Sequence, residues 1–147
     1  MANNDSAPKA HPPSAEKPKI MIIEDDRFIT QVYSTKLKEV GFDLAMVTDG
    51  RDAVPAILNE KPDLVILDLM LPGKSGFDIL RERMNSDVLK KIPVIVITAL
   101  AQSKEREMAL SLGAQDYIIK SDHSIQEIMQ KILKHCERCG IVAKNID

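Results

Sequence analysis

Leu64-Val65-Ile66-Leu67-Asp68 is a run of four apolar residues, two of them β-branched, that ends on a carboxylate. A strand with one wet face alternates apolar and polar side chains, whereas an unbroken apolar run suits a strand covered on both faces, as in a parallel sheet. Similar short runs stand upstream at Ile20-Met21-Ile22-Ile23 and Leu44-Ala45-Met46-Val47, and downstream at Val94-Ile95-Val96-Ile97 and Tyr117-Ile118-Ile119. Longer amphipathic stretches separate them. Phe28, Val32, Leu37 and Val40 recur near helical spacing before Gly41, a natural helix stop. Ala53, Ile57 and Leu58 mark a second helix whose first turn Pro55 is expected to weaken or shift. Phe77, Ile79, Leu80 and Met84 mark a third; Met108, Ala109 and Leu112 a fourth, closed by Gly113; Ile125, Ile128, Met129, Ile132 and Leu133 a fifth. Five βα units in succession predict an α/β fold, a doubly wound parallel sheet with helices on both faces, because right-handed crossovers put them there.

The whole chain has 147 residues, the length of one ordinary domain, and 44% hydrophobic residues against 3% aromatic, so aliphatic side chains must fill the core. Twenty basic and 22 acidic residues leave a formal charge of −2, without the cationic footprint of a nucleic-acid binder. No apolar run is long enough to span a bilayer, and residues 1–17, rich in Asn, Ser, Ala, Pro and Lys, lack the apolar core of a secretion signal. That stretch is expected to be a disordered extension, with the domain proper over residues 18–138 and a short tail at 139–147. Two cysteines make no disulfide framework, and a cytoplasmic protein with reduced thiols and no membrane association is expected. Cys136 and Cys139, beside His135, have half the spacing of a zinc site but no second pair of ligands nearby, so plain thiols at a helix end are the better reading.

Open parallel sheets collect functional groups beyond the carboxyl ends of their strands. Glu24, Asp25 and Asp26 follow the first strand, Asp68 ends the third, Thr98 the fourth and Lys120 the fifth; the second offers nothing obvious. Three carboxylates a few ångströms apart repel by several kcal/mol in total at an effective dielectric of ~20. A raised pKa or a bound cation relieves this, and an all-oxygen set without His or Cys favours Mg²⁺, or Mn²⁺, over Zn²⁺. Asp26 has a plainer use as the cap of the following helix. With a metal and Lys120 in place, Asp68 becomes a nucleophile for an incoming phosphoryl group and Thr98 a hydroxyl donor to it.

Four segments taken in order, Ile22-Ile23-Glu24-Asp25-Asp26, Leu67 to Gly76, Ile97-Thr98-Ala99 and Gly113 to Lys120, resemble the receiver domain of two-component response regulators. The resemblance covers Lys19 to about Lys134. It implies a flavodoxin-like (βα)5 fold with strand order 2-1-3-4-5. It implies phosphoryl transfer to Asp68 from a histidine kinase or phosphotransfer protein, in a signalling rather than an enzymatic role. Asp25 is then a direct Mg²⁺ ligand, Glu24 a direct or water-bridged one, and the Met70 main-chain carbonyl another, while Thr98 and Lys120 contact the phosphoryl oxygens. Tyr117 holds the aromatic switch position, coupled to Thr98, with readout on the face of the fourth helix, fifth strand and fifth helix. Ser121 stands where such domains commonly carry a cis proline. Met70 and Leu100, two residues beyond Asp68 and Thr98, are large and apolar and are expected to hinder hydrolytic water.

Competing readings leave traces in the same residues. A phosphatase of the haloacid-dehalogenase type needs a second Asp where Met70 stands. A flavodoxin-like cofactor binder needs a Gly- or hydroxyl-rich loop in place of Glu24-Asp25-Asp26. A degenerate receiver, an interaction module without phosphorylation, would normally lack one of Glu24, Asp25, Asp68, Thr98 or Lys120. Residues 140–147 are too few for a DNA-binding or catalytic output domain, so output is expected to depend on an unidentified downstream protein, or on a longer chain of which this is a part.

Overall fold

The computed structural model describes residues 17–141. The expected disordered extension over residues 1–17 lies outside the described residues except for Lys17, as does the tail from residue 142 onward. Five strands and five helices alternate: β1 (Lys19–Ile23), α1 (Arg27–Val40), β2 (Asp43–Val47), α2 (Ala53–Glu60), β3 (Leu64–Leu67), α3 (Gly76–Met84), β4 (Val94–Thr98), α4 (Ser103–Ser111), β5 (Asp116–Ile119) and α5 (Ile125–Arg138). All neighbouring strands are parallel, in the order β2-β1-β3-β4-β5. The sequence-based expectation of a doubly wound, flavodoxin-like sheet is met.

The continuous apolar runs serve two cores at once. Successive strand residues point to opposite faces. Met21, Ile23, Val65 and Leu67 therefore enter one core with Ala53, Ile57, Ile79, Leu80 and Ala109 from α2, α3 and α4. Ile20, Ile22, Leu64 and Ile66 enter the other with Tyr33 and Leu37 of α1 and Ile128, Met129 and Ile132 of α5. Every residue of β3 and β4 is buried, which is why neither strand alternates in sequence.

Helix ends follow local chemistry. The Asp26 carboxylate accepts from the Phe28 and Ile29 N–H groups at 3.0 and 3.2 Å, as its capping assignment requires. Gly41, at φ 111°, closes α1 in the left-handed conformation that glycine takes without steric cost. Pro55 sits in the first turn of α2, where its missing N–H breaks no helical bond, and a 3₁₀ turn at Gly50–Asp52 precedes the helix. The apolar stripe of α1 is displaced from the one expected. Phe28 is 76% exposed, and the buried stripe is Thr30, Tyr33, Ser34 and Leu37. Met84 and Met108, assigned to the core-facing stripes of α3 and α4, are also substantially exposed.

His135 pairs with a carboxylate. Its Nε2 lies 2.9 Å from an Asp116 carboxylate oxygen, tying α5 to the start of β5. Cys136 and Cys139 are both free thiols, the first buried and the second exposed. His123 Nδ1 lies 3.7 Å from Glu127 Oε1. Among the described residues no helix is long and apolar enough to cross a membrane.

Candidate functional site

At the carboxyl edge of the sheet, β1 and β3 lie side by side with Ile23 opposite Leu67. Glu24 and Asp68 therefore leave adjacent strands at the same level. Main-chain bonds fix both exits: Asp68 N–H donates to the Ile23 carbonyl at 3.0 Å, and Glu24 N–H to the Val47 carbonyl at 2.9 Å. One carboxylate oxygen each from Glu24, Asp25 and Asp68 fall within 4.8 Å of one another. Glu24 and Asp68 are buried while Asp25 is exposed, so the cluster opens to solvent on the Asp25 side.

Lys120, just past β5, reaches across β4 to this cluster. Its Nζ donates to Glu24 Oε1 at 2.7 Å and to Asp68 Oδ2 at 3.0 Å. Burial raises the Glu24 pKa above the ordinary carboxylate range; Asp68 adds to this, against the opposing pull of Lys120 and the Asp26 N–H. Burial opposes the charged form of Lys120 as well, but its two carboxylate hydrogen bonds outweigh it and hold the ammonium above the usual lysine value. One lysine cannot neutralise three carboxylates. The surplus negative charge, the all-oxygen donors and the open side fit a hard divalent cation of the Mg²⁺ or Mn²⁺ type.

Thr98 ends β4 completely buried, its Oγ1 accepting from the Leu100 N–H at 3.4 Å. Asp68 Oδ1 accepts from the Met70 N–H at 3.1 Å, which orients the carboxylate, while the Met70 side chain remains 55% exposed at the rim. Tyr117, paired with Val96 in the sheet, is buried, and its hydroxyl donates to the Leu100 carbonyl at 2.9 Å. Burial, with Glu105 and Asp68 nearby, pushes the Tyr117 phenol pKa up. The Leu100 main chain is thus bonded to both Thr98 and Tyr117, so the two residues expected to move together share a neighbour. No described peptide bond is cis, including that between Lys120 and Ser121.

A family model described as the response regulator receiver domain matches residues 20–134, nearly all of the five-unit fold. The chain belongs to the response-regulator receiver family. Among curated proteins, the receiver is 35% identical over 128 residues to the probable transcriptional regulator ycf27 of Porphyridium aerugineum. That match takes in 85% of this chain but 52% of the relative, so the chain spans about half the length of that protein. Among solved structures, the BeF3-activated N-terminal receiver domain of Klebsiella pneumoniae RstA is similar at 31% identity with a TM-score of 0.72, over 80% of this chain and 97% of that one. The Mn(2+)-bound form of response regulator Rcp1 is similar at 26% identity with a TM-score of 0.70, over 84% and 94% of the respective chains. Receivers are signalling domains rather than enzymes, phosphorylated by histidine kinases or phosphotransfer proteins and binding Mg²⁺ in an acidic pocket.

The sequence reading missed Tyr33. It lies on the buried face of α1, and burial pushes its phenol up to about 12 with Lys120, Glu24, Asp68 and Asp26 all acting on it. Tyr33 lies outside the apolar stripe expected from sequence, Phe28, Val32, Leu37 and Val40, and nothing in its spacing marks closeness to the acidic site.

Proposed function

We propose that this receiver accepts a phosphoryl group on Asp68 from a histidine kinase or phosphotransfer protein, in a reaction that requires Mg²⁺ or Mn²⁺. The observation that carries the reading is Lys120 Nζ bridging Glu24 and Asp68 inside a cluster of three carboxylates. Glu24, Asp25, Asp68 and the Met70 carbonyl would hold the cation, Glu24 directly or through water. When bound, the cation supplies positive charge that offsets repulsion between the carboxylates and an incoming phosphoryl group. A carboxylate oxygen of Asp68 attacks phosphorus; a P–O bond forms, the P–N bond to the donor imidazole breaks, and the released imidazole nitrogen takes up a proton. Lys120 transfers one of its hydrogen bonds to a phosphoryl oxygen, and the Thr98 hydroxyl turns to donate to another. Tyr117 carries that displacement to the α4-β5-α5 face, where a downstream protein reads it. The similarity to a Mn(2+)-bound regulator and to a BeF3-activated receiver supports both the metal and the acceptor assignments.

Incubation with acetyl phosphate and Mg²⁺, or with beryllofluoride and Mg²⁺, tests the proposal. The expected result is an acid-stable, base-labile phosphoryl adduct with the first reagent and a spectral change with the second. Both disappear on chelation and in Asp68→Asn. A wild-type protein inert to both reagents would return the chain to the degenerate reading, a folded interaction module.

A further inference from the structure

The turn between β2 and α2 runs against the loop that leaves Asp68, with main chain packed on main chain. Gly50 N–H donates to the Pro72 carbonyl at 2.9 Å. A Cβ on buried Gly50 would stand 1.8 Å from the Lys74 carbonyl oxygen and 2.7 Å from its carbon. Both are backbone atoms, so no side-chain rotation relieves the contact, and only glycine permits this approach. A Cβ on Gly73, at φ 81°, would stand 2.3 Å from Asp49 Oδ1 and 2.6 Å from Arg51 Nε. Those two atoms are themselves bonded at 3.0 Å, and the same Asp49 oxygen accepts from the Arg51 N–H at 2.8 Å, which fixes the shape of the turn. At the other end of the loop, Gly76 N–H donates to the Leu69 carbonyl at 3.0 Å. A Cβ on Gly76 would meet the Asp68 carbonyl oxygen at 2.6 Å. The loop from Asp68 to Gly76 is therefore pinned twice, once to its own strand end and once to the turn after β2.

We infer that Asp49-Gly50-Arg51 is a positioning element for the metal site: by clasping Pro72-Gly73-Lys74 it fixes the course of the loop that presents the Met70 carbonyl. The inference rests on the reading of Glu24, Asp25 and Asp68 as a divalent-cation site. None of the three turn residues belongs to the carboxylate cluster; they act through the loop. β2, the strand without a side chain in the cluster, contributes to the site by this contact.

The test is Mg²⁺ binding to the full chain by titration calorimetry, alongside the Mg²⁺ dependence of phosphorylation by acetyl phosphate. Gly50→Ala, which forces the two main chains apart, is expected to weaken Mg²⁺ binding by about tenfold, as loss of support behind a ligand does. Phosphorylation should then need correspondingly more Mg²⁺, while its rate at saturating Mg²⁺ stays within about threefold of wild type. Ile132→Val, a core change in α5, lowers the melting temperature without moving the Mg²⁺ affinity, which separates positioning from general loss of stability. Asp49→Ala removes the carboxylate that shapes the turn but adds no bulk; it should weaken Mg²⁺ binding in the same direction, and it decides the matter if Gly50→Ala does not fold. Wild-type binding with unmoved affinity in Gly50→Ala and Asp49→Ala overturns the inference alone. Absence of Mg²⁺ binding in wild type overturns the site reading and the inference with it.

Discussion

Replacing Lys120 by methionine keeps the aliphatic stem and deletes the charge that bridges Glu24 and Asp68. With oxygens at the 4.8 Å limit and an effective dielectric near 20, each carboxylate pair repels by about 3–4 kcal/mol, so the three pairs together amount to about 10 kcal/mol. On the same scale the ammonium contacts at 2.7 and 3.0 Å attract by about 6 kcal/mol each. The lysine thus roughly offsets the mutual repulsion, leaving its desolvation to be met by the rest of the fold. Deleting one partner of a fully buried pair costs about 3–5 kcal/mol. The Lys120 side chain retains 19% exposure, which places the loss nearer 2–3 kcal/mol, or about 6–12 °C in Tm for a domain of this size. Mg²⁺ does the opposite: at a hundred times its Kd it adds about 2.7 kcal/mol. Because the variant has lost the competing cation, it should gain more from Mg²⁺ than wild type does. Urea and thermal unfolding at neutral pH, with and without Mg²⁺, measure both effects. Equal stability of the two proteins in chelator, or an equal gain from Mg²⁺, would refute the electrostatic account.

Three other outcomes are expected. In the absence of metal, the raised Glu24 pKa means that the folded state holds a proton which the unfolded chain has released. Stability should therefore fall as pH rises from about 4.5 through the raised folded value, and Mg²⁺ should suppress that slope; a metal-free stability that climbs across this window contradicts it. Tyr117→Phe removes the hydroxyl bond to the Leu100 carbonyl at a cost of about 1 kcal/mol. It should leave the yield of phosphorylated protein unchanged while weakening any response at the α4-β5-α5 face, seen as reduced chemical-shift change there on beryllofluoride addition. Replacing both Met70, exposed at the rim, and Leu100 by alanine should open the phosphoryl group to water and speed dephosphorylation by several-fold; an unaltered phosphoryl half-life dismisses the shielding role.

The strands were legible because both faces of the sheet are covered, which leaves runs such as Val94 to Ile97 without any polar interruption. The meeting of Glu24, Asp25, Asp68 and Lys120 was legible because a parallel sheet sends all its strand ends to one edge. Helix α1 was harder. Its buried stripe contains Thr30 and Ser34, whose small hydroxyl side chains mask the apolar period, and Ser34 satisfies itself on the Gln31 carbonyl. Phe28 then looked like the missing apolar position, although it projects into solvent from the first turn. The clasp at Gly50 was hidden for another reason. Asp49-Gly50 announces a turn, but the need for a missing Cβ comes from Lys74, and no local pattern relates residues so far apart. The pairing of His135 with Asp116 is non-local in the same way.

The two thiols at the end of α5 differ in a way that has a practical use. Burial pushes the Cys136 thiol up to about 12, whereas Cys139 is exposed, and the chain has no tryptophan. Only the thiolate reacts with maleimides, so a dye should attach at position 139 without any engineered substitution. The helix runs opposite to the strands, which sets the fluorophore at the far end of the molecule from the acidic cluster. Native protein labelled there would give an optical signal for partner docking while leaving the chemistry undisturbed.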